Sequence, residues 1–171
     1  SFEHGVRLWT IVLEVSVLMA QFPSKRIAEL SYRYRTLGLG YANLGAFLMV
    51  SGHPYDSAKG RAIAGAITAL MTGTAYTTSS EMAAELGAFP GYEKNQEHML
   101  RVMRNHRRAA YGVKAGTADG YESLSVEPMA VDDSLVDADL MAAARLAWDQ
   151  AIDMGLEHGY RNAQATVLAP T

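Results

Sequence analysis

The chain has 171 residues, a length that indicates a single domain large enough to bury one packed core. Apolar and aromatic residues make up 49% of the sequence and charged residues 19%, which excludes the composition of a disordered chain. The net charge of −3 excludes a global basic field that would draw the chain onto nucleic acid or an anionic membrane, so we predict neither partner.

The first predicted helix runs from Gly5 to Phe22 and is apolar around most of its circumference. Arg7 and Glu14 lie on the remainder, and these charges with Ser16 interrupt the apolar run, so we predict a buried helix and not a membrane span. The segments of a signal peptide are not in order and the chain starts at Ser1, which predicts a cytoplasmic protein and a piece of a longer polypeptide.

A second helix and a glycine-rich segment follow. Ser24 is positioned to cap a half-exposed helix that runs through Arg35. Residues 37–45 contain too many glycines for a helix interior and predict a short buried strand, which leads into a short helix ending at Val50.

The longest predicted helix begins at Asp56 or Ser57, either of which can cap it, and ends at Gly87. Its apolar residues recur at spacings of three and four. Hydroxyl side chains and Gly73 crowd its middle, between Thr72 and Ser80, and this favours a kink or a close helix crossing over a ligand site.

The next predicted helix, from Asn95 to Tyr111, carries a basic strip. The strip consists of Arg101, Arg104, Arg107, Arg108, His98 and His106. We interpret it as a solvated face paired with Glu97 and acidic loops. The alternative is a non-enzymatic helical binding or assembly module that uses the strip between Arg101 and Arg108 to meet an acidic or phosphorylated partner.

The remainder of the chain is a loop, a helix and a second strand. Residues 112–133 are polar and contain glycine, which predicts a flexible loop. Ser134 with Asp137 resembles a capping box at the start of a helix that runs to about His158. The apolar run at the end of the chain, after Asn162, suits a buried strand, so we predict a predominantly α-helical chain with about two short β-strands.

No motif of this sequence by itself names a reaction. None of the five histidines is spaced for a helical metal site, and the segment Leu-Gly-Leu-Gly-Tyr-Ala-Asn at 37–43 departs from the dinucleotide-binding pattern. We therefore predict no metal site and no catalytic residue in this chain.

Several segments, taken together and in order, resemble the adenosylcobalamin-dependent (class II) ribonucleotide reductases. They are residues 34–45, 54–57, 68–73, 82–92 and 159–171. The resemblance covers nearly the whole chain except residues 112–133. It implies that residues 1–171 form a single segment of a ten-stranded α/β barrel, in which 37–42 and 163–168 are barrel strands.

The resemblance also implies an activity. In that family, cobalamin homolysis forms a cysteine thiyl radical, which takes the 3′-hydrogen of a ribonucleotide. A cysteine pair then supplies the reducing equivalents for loss of the 2′-hydroxyl, which gives the 2′-deoxyribonucleotide. Because this chain has no cysteine, it resembles an internal fragment that is inactive alone, with the remainder of the reductase as its partner. The cobalamin-contacting residues and the choice between diphosphate and triphosphate substrates stay open.

The end of the chain, at residues 169–171, resembles the start of the family's loop for substrate phosphates. This similarity implies that Pro170 and Thr171 are substrate-binding residues. Since the two strands of the fragment lack neighbours, we also expect a homo-oligomer formed through their edges or through the apolar first helix.

Overall fold

The structure is a computed structural model that describes residues 1–118 and 120–169. Within these residues the chain is predominantly helical, as the sequence predicts. It contains α1 (Phe2–Met19), α2 (Lys25–Tyr34), α3 (Leu44–Val50), α4 (Ala58–Leu86), α5 (Tyr92–Ala110), a short 3₁₀ helix (Asp133–Leu135) and α6 (Ala138–His158). In this part of the chain, no helix combines the length and the apolar character that crossing a membrane requires.

Helix α4 lies at the centre of the fold and packs most extensively against α6. The two helices approach closely at Gly73, where a Cβ would lie 2.9 Å from the Cβ of Ala147. The close helix crossing predicted from the hydroxyl-rich sequence is therefore present, and α4 continues through it as one helix. Trp148, Tyr160 and Met71 form part of the buried core on this side of α4.

Helix ends follow the predicted caps in α2 and α4. The Oγ of Ser24 accepts a hydrogen bond from the backbone N–H of Ile27, and the Oγ of Ser57 accepts one from the N–H of Gly60. Gly87 ends α4 with a φ of 81°, a left-handed conformation that glycine adopts without strain.

Three predicted helix starts are wrong. Helix α1 begins at Phe2 and not at Gly5, because the Ser1 hydroxyl accepts from the N–H of His4 and caps it, and it ends at Met19, before Phe22. Helix α5 begins at Tyr92, before Asn95, because Gly91 takes the N-cap position and Tyr92 is buried in the core. Helix α6 begins after Asp137 and not at Ser134, because the Asp137 carboxylate accepts from two free N–H groups of the first turn. Ser134 lies instead in the 3₁₀ helix.

Helix α1 faces the opposite way from the sequence prediction. It buries Val6, Thr10 and Glu14, which are spaced four residues apart and share one face. Its large apolar side chains at the surface include Leu8, Trp9, Val12, Val15, Leu18 and Met19. The predicted placement of Glu14 on the polar remainder of the helix is wrong, because Glu14 has buried polar partners on the face that packs against α4.

The two segments predicted as strands lie side by side in parallel and share one β-bridge, between Leu39 and Thr166. The N–H of Leu39 donates to the carbonyl of Ala165, and the N–H of Val167 donates to the carbonyl of Leu39. At Gly40 a Cβ would lie 2.5 Å from a backbone oxygen of Val167, so this approach requires glycine. The segments form no longer ladder within the described residues, and their place as regular strands stays a prediction.

The loop predicted at residues 112–133 makes several hydrogen bonds in the described part of the chain, which leaves out Asp119. The Tyr121 hydroxyl donates to the carbonyl of Val113 over 2.8 Å, and Glu122 pairs with α5. The N–H of Val131 donates to the carbonyl of Ala109. The flexibility of this loop stays a prediction.

Candidate functional site

The predicted substrate-binding residues Pro170 and Thr171 lie outside the described residues. The structure describes the segment that leads to them, residues 159–169, which we call the terminal segment. Because it leads to the residues predicted to bind substrate, this segment is the candidate functional site.

The terminal segment is tied to several elements through its backbone. The carbonyl of Tyr160 accepts from the N–H of Phe89 over 2.9 Å, and the N–H of Arg161 donates to the carbonyl of Ser79. The N–H of Ala163 donates to the carbonyl of Tyr34 over 2.9 Å. These bonds place the segment in a groove between the end of α2, the start of α5 and the middle of α4.

A buried carboxylate lies beneath the start of the terminal segment. The side chain of Glu14 is 4% exposed and accepts hydrogen bonds from Arg35 Nε at 2.7 Å, Arg161 Nε at 2.8 Å and Asn162 Nδ2 at 2.6 Å. Asn162 Nδ2 also donates to the carbonyl of Arg35, and its Oδ1 accepts from the Ser79 hydroxyl. We call these five residues the Glu14 anchor.

The geometry of the Glu14 anchor comes from three helices. Glu14 projects from the buried face of α1, and Ser79 from the middle of α4. Arg35 is the C-cap of α2 and adopts a left-handed φ of 49°, which turns the chain after the helix. Two guanidinium groups face one carboxylate, so the anchor carries a net positive charge beneath the terminal segment.

The hydroxyl-rich middle of α4 also serves the terminal segment. Ser80 Oγ donates to the carbonyl of Gly159 over 2.8 Å, and the hydroxyls of Thr72 and Thr166 lie 3.1 Å apart within hydrogen-bond distance. Thr77 Oγ1 donates instead to the carbonyl of Ala147 at the α4–α6 crossing. The hydroxyls therefore hold the protein's own backbone and side chains, in agreement with the packing interpretation from the sequence.

The basic strip on α5 is largely neutralised by carboxylates. Arg104 makes a two-pronged pair with Glu122 at 2.7 and 2.8 Å, and Arg108 also contacts this carboxylate. Arg107 pairs with Asp149 at 2.5 Å. The strip is thus the paired face that the sequence interpretation favours, and these contacts leave the binding-module alternative without support.

Glu122 also gathers two arginines at its carboxylate, and an asparagine at its backbone. Its backbone N–H donates to Asn105 Oδ1, and Asn105 Nδ2 donates to its carbonyl. The hydrogen bonds from Arg104 and Arg108 lower the pKa of the Glu122 carboxyl to about 2. We call these four residues the Glu122 cluster.

Sequence reasoning missed the Glu14 anchor. The signal was available in part, since Glu14 is an acidic residue within an apolar helix and lies four residues after Thr10. Its partners are distant in sequence, and no spacing rule connects them. In residues 1–118 and 120–169, no group of three or more His, Cys, Asp or Glu side chains could hold a metal ion.

Comparison with known proteins places the chain in a family. The family model described as the barrel domain of ribonucleotide reductase matches residues 1–171. The chain belongs to this ribonucleotide reductase family. The resemblance stated from the sequence segments is thereby confirmed, and the terminal segment and its anchor are parts of a reductase barrel domain.

Curated relatives of this family align over nearly the whole chain. The proteins of Agrobacterium fabrum and Bradyrhizobium diazoefficiens are each 64% identical over 171 residues, and that of Streptomyces avermitilis is 44% identical over 170 residues. All three are named vitamin B12-dependent ribonucleotide reductase. Each alignment covers 99% of this chain and 13%, 13% and 16% of the relative, so the chain spans about one seventh of their length.

Proposed function

We propose that the chain is a segment of a vitamin B12-dependent ribonucleotide reductase, an oxidoreductase that converts ribonucleotides to 2′-deoxyribonucleotides for DNA synthesis. The observation that carries the proposal is the 64% identity to such reductases over 171 residues, together with the match to the barrel domain. A cytoplasmic location follows from this role as part of the proposal.

The proposed role of this segment is scaffold and substrate-loop edge. Pro170 and Thr171 contact substrate phosphates in this proposal. Its support is the continuous bonding of the terminal segment, from Tyr160 to Val167, which leads directly to them. Backbone N–H groups and hydroxyls in such a loop suit phosphate oxygens.

Adenosylcobalamin, when bound to such an enzyme, supplies the radical that starts the reaction. Which residues of the complete enzyme contact it stays open. The sequence also has no cysteine, so the thiol that carries the radical and the thiol pair that reduces the substrate belong to the remainder of the reductase. The chain alone is therefore inactive in this proposal.

The finer architecture belongs to the proposal too. Residues 37–42 and 163–168 are two neighbouring parallel strands of the ten-stranded barrel, and the parallel bridge between Leu39 and Thr166 supports this assignment. In this proposal, residues 112–133 form a flexible loop.

The exposed apolar face of α1 supports a partner. Leu8, Val12 and Met19 lie on the side of α1 opposite its buried residues and are 47%, 48% and 77% exposed. In the complete enzyme we assign this face to contact with the remainder of the reductase chain. The isolated segment forms a homo-oligomer through α1 or through the strand edges, and a strictly monomeric mass in light scattering over a range of concentrations would contradict this.

The test of the function is to translate the parent gene on both sides of this segment and to assay the complete polypeptide. The expected result is flanking sequence that supplies cysteines, and adenosylcobalamin-dependent formation of deoxycytidine nucleotide from cytidine diphosphate or triphosphate. The 171-residue chain, assayed in parallel, is expected to give none. A complete polypeptide that contains no cysteine would overturn the proposal, and so would one that reduces neither cytidine diphosphate nor cytidine triphosphate.

A further inference from the structure

The Glu14 anchor binds the terminal segment at its first residues after α6. Asn162 uses both polar atoms of its side chain, and its backbone N–H donates to Ser79 Oγ at 3.0 Å. Its partners lie on α1, after α2 and on α4, so three separate elements fix this one residue. A side chain held from three directions in the interior has a single position.

The chain bends at Ala163, and the residues from there to Val167 are bonded at short intervals. Hydrogen bonds join them to Tyr34 at Ala163, to Leu37 at Gln164 and to Leu39 at Ala165 and Val167. A chain bonded at intervals of one or two residues has little slack. A shift at Asn162 is therefore transmitted along the bonded residues, as far as Val167.

We propose that the Glu14 anchor is a positioning device for substrate binding, in which Asn162 sets the register of the terminal segment and so places the phosphate-contacting end of the chain. The proposal rests on the proposed function, because it requires that Pro170 and Thr171 contact substrate.

The experiment uses the complete reductase with two variants of the anchor. Asn162→Asp keeps the shape of the side chain but removes the donor to Glu14 and to the Arg35 carbonyl. Ser79→Ala removes the hydroxyl that contacts Asn162 and leaves all charges in place. The matched control is Thr78→Val, a buried neighbour on α4 whose hydroxyl donates to the Thr74 carbonyl within the helix.

Two readouts are measured. One is amide hydrogen exchange of residues 163–167, which reports how firmly the terminal segment is held. The other is the KM and kcat for cytidine diphosphate and cytidine triphosphate with adenosylcobalamin. We expect exchange to accelerate by about tenfold or more in both anchor variants and the KM to rise by about tenfold in Asn162→Asp and less in Ser79→Ala, with kcat changed less than KM. Thr78→Val is expected to match the wild type in both readouts.

Each contrary result is decisive. Unchanged exchange in a folded Asn162→Asp enzyme would show that the anchor does not hold the segment. Faster exchange with unchanged KM, or an equal KM effect in Thr78→Val, would show a structural role without positioning of substrate. A wild-type enzyme that reduces neither nucleotide would overturn the proposed function and the substrate part of this proposal, while exchange would still decide whether the anchor fixes the segment.

Discussion

The Glu14 anchor and the Glu122 cluster use the same parts in different surroundings. Each gathers two arginines around one glutamate carboxylate. An asparagine joins each group, through the carboxylate at Glu14 and through the backbone at Glu122. The Glu14 side chain is 4% exposed, whereas the Glu122 side chain is 30% exposed. Water therefore screens one cluster in part and is excluded from the other.

The difference shows how burial changes the role of an ion pair. At Glu122, partial hydration limits both the stabilisation by the pair and the cost of losing it. At Glu14, loss of the carboxylate leaves two guanidinium groups in the interior with one charge partner fewer, which is strongly unfavourable. The exposed arrangement fastens a loop to α5, and the buried one fixes the relative positions of α1, α4 and the terminal segment.

The largest effect is expected for Glu14→Gln. This change keeps the size of the side chain but removes the charge between Arg35 and Arg161. The free energy of unfolding is expected to fall by about 3–5 kcal/mol, the range for breaking a buried ion pair. Urea denaturation followed by circular dichroism measures it, and a loss below that of the corresponding change at Glu122 would contradict the comparison.

A smaller effect is expected for Glu122→Gln. The substitution removes charge-assisted hydrogen bonds from Arg104 and Arg108, but both guanidinium groups remain partly hydrated. We expect a loss of about 1–2 kcal/mol in the same denaturation assay. Proteolysis within residues 112–133 is expected to become faster, because the cluster fastens this loop to α5.

The pH dependence of stability sharpens the difference further. The carboxyl pKa of Glu122 is about 2 in the folded protein and 4.5 in its unperturbed state. A lowered folded-state pKa stabilises the protein fully above the unperturbed value, and this stabilisation is lost as pH falls from about 4.5 towards 2. The difference in free energy of unfolding between wild type and Glu122→Gln should therefore become smaller as pH falls from about 4.5 towards 2. A difference that stays constant over this interval would show that the charge of Glu122 does not cause it.

The smallest effect is expected at an exposed pair. Arg7 Nη2 lies 3.0 Å from Glu81 Oε2, but the two side chains are 50% and 37% exposed. Arg7→Ala is expected to reduce stability by less than about 1 kcal/mol, and salt at about 1 M should remove the difference. A larger, salt-independent loss would indicate that the side chain stabilises α1 through packing on α4.

The amino-acid sequence by itself determined the local elements of this protein. Helix periodicity, the caps Ser24 and Ser57 and the stop at Gly87 depend on neighbouring residues, and the structure has each of them. The sequence segments also carried enough resemblance to assign the reductase family, which the match over residues 1–171 confirms. Ser134 and Asp137 are both suitable N-cap residues, and the local pattern did not show which of them begins α6.

Only the tertiary structure decided which face of α1 is buried and what Glu14 does there. Its partners Arg35, Arg161 and Asn162 are 21, 147 and 148 residues away, beyond the reach of any periodicity. An acidic residue in an apolar helix is placed outside by hydropathy alone, because burying an unpaired charge is costly. The fold reverses that expectation by bringing guanidinium and amide donors to the carboxylate, so burial became possible only once distant segments met.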